Sequence, residues 1–130
     1  MECVADILRS KGPQVVHTTR PTTSVLDAMK LMAEKGIGAL VVTDAGKVVG
    51  IVTERDYARK TEVEERTGKT TLVGDIMTAV VIHVHPEQTS EDCIALMAKN
   101  KLRHLPVMDG NRLVGMVSIR DLVGRIIAAL

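Results

Sequence analysis

Two stretches of this chain set a hydroxyl, an arginine and a carboxylate at the same short spacing. They are Gly50-Ile51-Val52-Thr53-Glu54-Arg55-Asp56 and, 65 residues later, Gly115-Met116-Val117-Ser118-Ile119-Arg120-Asp121. A carboxylate accepts hydrogen bonds from both hydroxyls of a vicinal diol, the neighbouring hydroxyl bonds a sugar or a phosphate, and an arginine at a helix start favours an anion. Glycine at the head of each heptad has no side chain, so a ligand is expected to approach the strand backbone there. The chemistry implied is recognition of a ribose, twice. Thr53-x-x-Asp56 and Ser118-x-x-Asp121 also have the spacing of a plain helix cap, which is the commoner meaning of that pattern. The chain carries its own control. Ser24-x-x-Asp27 and Thr89-x-x-Asp92 keep the cap spacing without the Gly-apolar-apolar strand before it and without a shared arginine, and are read as caps only.

The elements that must position the heptads come in pairs. From Pro21 to Lys60 the chain matches itself at this offset with 13 identities in 40 positions and no gap, where unrelated segments share about one in fifteen. One unit is therefore duplicated. Each half reads as strand, helix, strand, turn, strand, helix. The first strands are Gln14 to Thr18 and Val80 to Val84, stopped by Pro21 and Pro86. In the first helices Leu26, Met29, Met32 and Ala33, or Ile94, Met97 and Ala98, recur at the helical period, and Gly36 closes the first of them. Ala39 to Thr43 and Lys47 to Val52 form a hairpin around Asp44-Ala45-Gly46; Leu105 to Met108 and Leu113 to Ser118 form another around Asp109-Gly110-Asn111.

The second helices differ in character. Glu54 to Arg66 is mostly charged and expected to be solvated, whereas Asp121 to Leu130 carries an apolar stripe of Leu122, Val123, Ile126, Ile127 and Leu130 that calls for a partner. Val73-Gly74-Asp75-Ile76-Met77 restarts the pattern of Val4-Ala5-Asp6-Ile7-Leu8. The expected organisation is a first repeat over 1–66, a linker over 67–72 and a second repeat over 73–130.

Composition narrows the function. At 130 residues and 45% apolar content the chain is long enough to bury one core, so a single module of two halves is expected in place of two free domains. It has no Phe, no Trp and one Tyr, so the stacking rings of single-strand nucleic-acid binders are missing. The formal charge of +1, with basic and acidic residues interleaved, offers no phosphate-tracking stripe, so no nucleic-acid partner is expected. No stretch reaches the roughly 18 apolar residues of a membrane span, and the first residues do not read as a signal peptide. Cys3 and Cys93 read as free thiols in a reducing compartment, and the location expected is the cytoplasm. His83 and His85 share a strand face, but two imidazoles without a third ligand predict no metal site. No nucleophile stands with a base, and no catalytic residue is assigned.

Two halves that each open on an Asp-Ile-Met-like segment and close on G-h-h-[ST]-x-x-D, with h apolar, resemble a tandem pair of cystathionine-β-synthase (CBS) domains, the Bateman module. The resemblance covers Val4 to about Ile127. It implies an α/β fold of two pseudo-two-fold-related β-α-β-β-α units with packed sheets, two clefts for adenine nucleotides, and association into a homodimer. Carried over residue by residue, one cleft takes Thr53, Asp56 and Ile51 with Val80, Ile82 and Leu102. The other takes Ser118, Asp121 and Met116 with His17, Ile37 and Gly38. Arg55, Arg120, Arg103 and His104 are the candidates for phosphate. The second copy has Arg103-His104 where the first has Gly38-Ala39, so the clefts are expected to be unequal.

The function implied is a regulatory module that senses AMP, ATP or NAD(H) and signals to a partner protein. The alternatives are a dimeric scaffold with vestigial clefts and a sensor of S-adenosylmethionine.

Overall fold

A computed structural model describes residues 2–13, 15–62, 64, 67–79 and 82–130. Its elements are α1 (Val4–Ser10), β1 (Thr18–Thr19), α2 (Val25–Lys35), β2 (Ala39–Asp44), β3 (Lys47–Thr53), α3 (Glu54–Tyr57) running into a π-helical turn over Ala58–Glu62, α4 (Val73–Ile76), α5 (Ser90–Asn100), β4 (His104–Asp109), β5 (Arg112–Ser118) and α6 (Ile119–Ala128). In place of the one core expected, they form two packed units, each with its own core. One is His17–Val81; the other joins Met1–Val16 to Ile82–Leu130.

In the His17–Val81 unit, β1 lies parallel to β2, with Thr18 opposite Val41, and β2 is antiparallel to β3. Ser24 Oγ accepts the Asp27 N–H at 3.1 Å to start α2, and Gly36, at φ 66°, ends it in the left-handed conformation that glycine adopts without strain. Between those ends Val25, Ala28 and Met32 recur on one face, and they meet Leu40, Val42 and Val52 of the hairpin. Val73 and Ile76 of α4 complete that core.

The other unit repeats the plan. Thr89 caps α5, and Cys93 and Met97 on its inner face meet Leu105, Val107 and Val117 of the β4–β5 hairpin. Lys101, at φ 55°, takes the turn that Gly36 makes in the first copy. Val4 and Ile7 of α1 close the core. Each short leading helix thus belongs to the unit built from the other repeat, and packed units and sequence repeats divide the chain differently. The segment 67–72 is itself docked on α2: the Thr71 carbonyl accepts the Val25 N–H at 2.8 Å and the Gly68 carbonyl the Leu26 N–H at 2.9 Å.

What the leading helices meet corrects the reading of the two heptad glycines. A Cβ on Gly50 would stand 2.7 Å from Met77 Sδ and 2.8 Å from the Thr78 carbonyl oxygen. One on Gly115 would stand 2.8 and 2.9 Å from the two Leu8 methyls. The missing side chains admit the segment just past α4 and the Leu8 side chain of α1, not a ligand.

Other expectations shift with packing. The strand placed at Gln14 to Thr18 is only Thr18–Thr19, and the one at Val80 to Val84 is reduced to a parallel bridge from Val84 to Val107; Gln14, Val80 and Val81 lie outside the described residues. The helix placed at Glu54 to Arg66 gives way after Tyr57 to the π-helical turn, and Arg66 lies outside the described residues. Tyr57 is half-buried and packs on the core of its unit. Leu122, assigned to the outer stripe of the last helix, is 1% exposed and sits in the core. Burying a leucine contributes about 1.5 to 3 kcal/mol, and that gain sets the rotation of α6.

Two outcomes follow. Gly50→Ala is expected to lower stability by about 1 to 3 kcal/mol in urea unfolding, because backbone at Thr78 cannot yield. Gly115→Ala is expected to cost less, because the Leu8 side chain can swing away. Burial, helped by the charge of Asp92, pushes the Cys93 thiol up to about 11. Its stabilising contribution is complete below the ordinary thiol pKa and is lost as pH climbs towards 11. A thiol reagent at pH 8 should therefore modify at most half-exposed Cys3 in the native chain and both cysteines in denaturant.

Candidate functional site

The hairpins deliver the two heptads to equivalent places. In the His17–Val81 unit the register sets Thr53 opposite Ala39, and the Gly38 carbonyl accepts the Glu54 N–H at 3.1 Å. In the other unit Ser118 lies opposite His104, and the Arg103 carbonyl accepts the Ile119 N–H at 2.8 Å. The residues just before β2 and β4 thus pin the strand-to-helix junction.

At each junction hydroxyl and carboxylate bond one another's backbone. Thr53 Oγ1 accepts the Asp56 N–H at 3.0 Å, while Asp56 Oδ2 accepts the Thr53 N–H at 3.0 Å and the Thr53 hydroxyl at 3.1 Å. Ser118 Oγ accepts the Asp121 N–H at 3.1 Å, and Asp121 Oδ2 accepts the Ser118 N–H at 2.9 Å. These are full capping boxes, and so is the one at Thr89 and Asp92. Cap geometry alone therefore does not separate the heptads from the controls.

Burial and charge do. The side chains of Asp56 and Asp121 are 13% and 18% exposed, and each faces a lysine. Lys60 Nζ stands 3.4 Å from Asp56 Oδ1 and donates to the Ile76 carbonyl at 3.0 Å. Lys11 Nζ donates to Asp121 Oδ2 at 2.8 Å and to the Met116 carbonyl at 2.9 Å. Asp27 and Asp92 are exposed. A half-buried carboxylate beside a cation is the group suited to trade partners with a diol.

Sequence reasoning missed both lysines. Lys60 was legible, four residues along the helix from Asp56. Lys11 carried no local mark, since α1 alone brings it to a heptad 110 residues away. The far end of α1 is tied down as well: both carboxylate oxygens of Glu2 accept from Arg125, which holds the Glu2 carboxyl below the usual carboxylate range. Asp6 caps α1, and the hydrogen bonds from the Cys3 thiol and N–H, then from Arg9, lower its pKa.

The other expected site residues lie as follows. Ile51 is bridged through both backbone groups to Thr78, and the Met116 carbonyl is taken by Lys11. Ile37 packs on the core of its unit, and Ile82 and Leu102 on the core of theirs. His17 and His104 are half-buried, whereas Arg55, Arg103 and Arg120 are exposed. Val80 lies outside the described residues. The rings of His83 and His85 meet edge to face at 5.2 Å, and among the described residues no group of three or more His, Cys, Asp or Glu is placed to hold a metal.

The chain matches the family model of the CBS domain twice, over residues 4–61 and 73–128. A protein with CBS domains from Burkholderia ambifaria superposes with a TM-score of 0.93 at 51% identity, over 97% of this chain and 94% of that one. CBS domain-containing protein CBSX3, mitochondrial, of Arabidopsis thaliana is 40% identical over 132 residues, 95% of this chain and 64% of that protein, so the chain spans a little under two thirds of that relative. CBSX2, solved in complex with AMP, has a TM-score of 0.76 and 30% identity over 99% of this chain and 98% of that one. A CBS domain pair solved with 5′-methylthioadenosine and S-adenosyl-L-methionine has a TM-score of 0.82 and 28% identity over the same shares.

Proposed function

Because the chain belongs to the CBS-domain family, we propose that it is a regulatory module, not an enzyme, which senses an adenosyl nucleotide on its two heptads and passes the occupancy to a partner protein. AMP, ATP or NAD(H) is the ligand proposed, held by ribose on Asp56 and on Asp121. One observation carries this reading: both heptad carboxylates are half-buried and lysine-paired, while the control carboxylates with the same cap spacing are exposed. The AMP complex of CBSX2 and the complex with 5′-methylthioadenosine and S-adenosyl-L-methionine support an adenosyl ligand. The flanking residues, Val80, Ile82 and Leu102 for the first site and His17, Ile37 and Gly38 for the second, belong to the same proposal, with Arg55, Arg103, His104 and Arg120 for phosphate.

The units of duplication proposed are 1–66 and 73–130 with 67–72 between them, a division the two family matches support. No helix among the described residues is long and apolar enough to cross a membrane. Two free thiols support a reducing compartment, and the cytoplasm is the location proposed.

The carboxylate is tested by Asp→Asn. Asparagine keeps size and capping but removes the charge, so Asp56→Asn or Asp121→Asn is expected to weaken nucleotide binding roughly 10- to 150-fold in calorimetry, the effect of a charge-assisted bond. Stability without ligand should fall by about 1 kcal/mol, because the carboxylate also bonds its capping partner and a lysine as an anion. Asp27→Asn and Asp92→Asn should leave affinity unchanged; four variants that bind alike would sink the reading. A chain that releases S-adenosylmethionine on denaturation, read by mass spectrometry, would move the assignment to that ligand.

Homodimerisation through α6 is part of the proposal. With Leu122 turned inward, Val123, Ile126 and Ile127 still stand 47, 53 and 63% exposed on that helix, a stripe a small monomer seldom leaves in water. Sedimentation at micromolar concentration should show a dimer, and Ile126→Lys with Ile127→Lys should return the 14.1 kDa monomer. A wild-type chain that sediments as a monomer removes this part of the proposal.

A further inference from the structure

The cations at the two heptad carboxylates come from different places. Asp56 faces Lys60, from its own helical run, at 3.4 Å and on the oxygen that its cap does not use. The residue 65 positions after Lys60 is Arg125, and it is committed to Glu2. Asp121 instead takes Lys11, which lies just past the end of α1, on the same Oδ2 that accepts the Ser118 N–H. Lys11 has no counterpart in the other copy: the residue as far past Val73 as Lys11 is past Val4 is Val80.

The strand edge explains why an ammonium is needed there. Beside β3 the Ile51 carbonyl accepts the Thr78 N–H at 2.8 Å, so backbone satisfies it. The matching Met116 carbonyl accepts from Lys11. Lys11 therefore closes an edge-strand carbonyl and neutralises Asp121 at once. Two of its three N–H donors are used.

We propose that Lys11 is the specificity determinant of the Asp121 site, selecting a phosphorylated nucleotide over an uncharged adenosyl ligand; this rests on the reading that Asp121 holds ribose. A diol that takes Asp121 Oδ2 competes with the ammonium for that oxygen. Losing a charge-assisted bond opposes binding unless the ligand gives the ammonium another anion. A phosphate on the same ligand does so, and the flexible four-carbon stem of lysine lets the head turn to it while Met116 stays bonded. 5′-Methylthioadenosine brings the same diol and no anion. Lys11 also cancels the charge of Asp121, which would otherwise repel a phosphate. At Asp56, where the lysine stands farther off, 3.4 Å against 2.8 Å, and on the oxygen that the cap leaves free, the same selection is weaker.

The test is calorimetry of AMP and of 5′-methylthioadenosine on the Asp56→Asn chain, with Lys11 intact, as Lys11→Met and as Lys11→Arg. With Lys11 intact AMP is expected to bind more tightly. Lys11→Met should weaken AMP and leave 5′-methylthioadenosine equal or tighter, so that the ratio of their affinities falls by about tenfold or more, the scale of one charge-assisted bond. Lys11→Arg should keep the preference. Should Lys11→Met not fold, Lys11→Gln reads the same ratio. A ratio that does not change overturns the role of Lys11 while leaving ribose binding at Asp121 intact. If neither ligand binds the Asp56→Asn chain with Lys11 intact, ribose binding at Asp121 falls and this proposal with it.

Discussion

Each unit depends on the close approach to a strand of a short leading helix or of the segment just past it, made possible by a side chain that is not there. Gly50 admits Met77 and Thr78, and Gly115 admits Leu8. That contact seats α4 and α1, whose Val73, Ile76, Val4 and Ile7 fill the two cores. Seen from the heptad, the glycine at its head and the carboxylate at its end do different work. One holds the leading helix against the strand, and the other starts the next helix.

The carboxylate must cap a helix and remain open to exchange. As a cap it is fixed by the hydroxyl and backbone of Thr53 or Ser118. Asp27 offers a carboxylate on the exposed surface, where water competes for it and nothing distinguishes it from any surface acid. Partial burial changes the terms: Asp56 and Asp121 meet little water, so a lysine completes their coordination, and the identity of that lysine becomes a variable between the two copies. The asymmetry visible in sequence as Gly38 against Arg103 is joined by a second, between Lys60 and Lys11, that only the packed structure displays.

What could be read in the sequence was whatever is decided locally. Both hairpins were legible because Asp44-Ala45-Gly46 and Asp109-Gly110-Asn111 are turn formers between apolar runs, and both carry the same irregularity of register, between Val42 and Thr43 and between Val107 and Met108. The caps were legible because hydroxyl and carboxylate stand three residues apart. The strand from Gln14 was overextended because the length of a short edge depends on its partner, not on its own β-branched residues. Leu122 was placed outside because an apolar stripe on a helix gives its width but not which edge turns inward. Lys11 was invisible for a plainer reason: no spacing rule connects residues 110 positions apart.

The exchange of leading helices also orders events in time. The His17–Val81 unit is contiguous and can complete its core as soon as α4 has left the ribosome. The other unit cannot, because α1 is made first and its partners β4, β5 and α6 come last, across an intervening loop of about 65 residues whose closure carries an entropy cost that grows slowly with length. During synthesis α1 waits with Val4 and Ile7 uncovered, a transient apolar surface of the kind chaperones recognise. A helix of seven residues is too short to persist alone. Its folding is then coupled to that of the chain's far end, and the unit that carries Asp121 is the last to form.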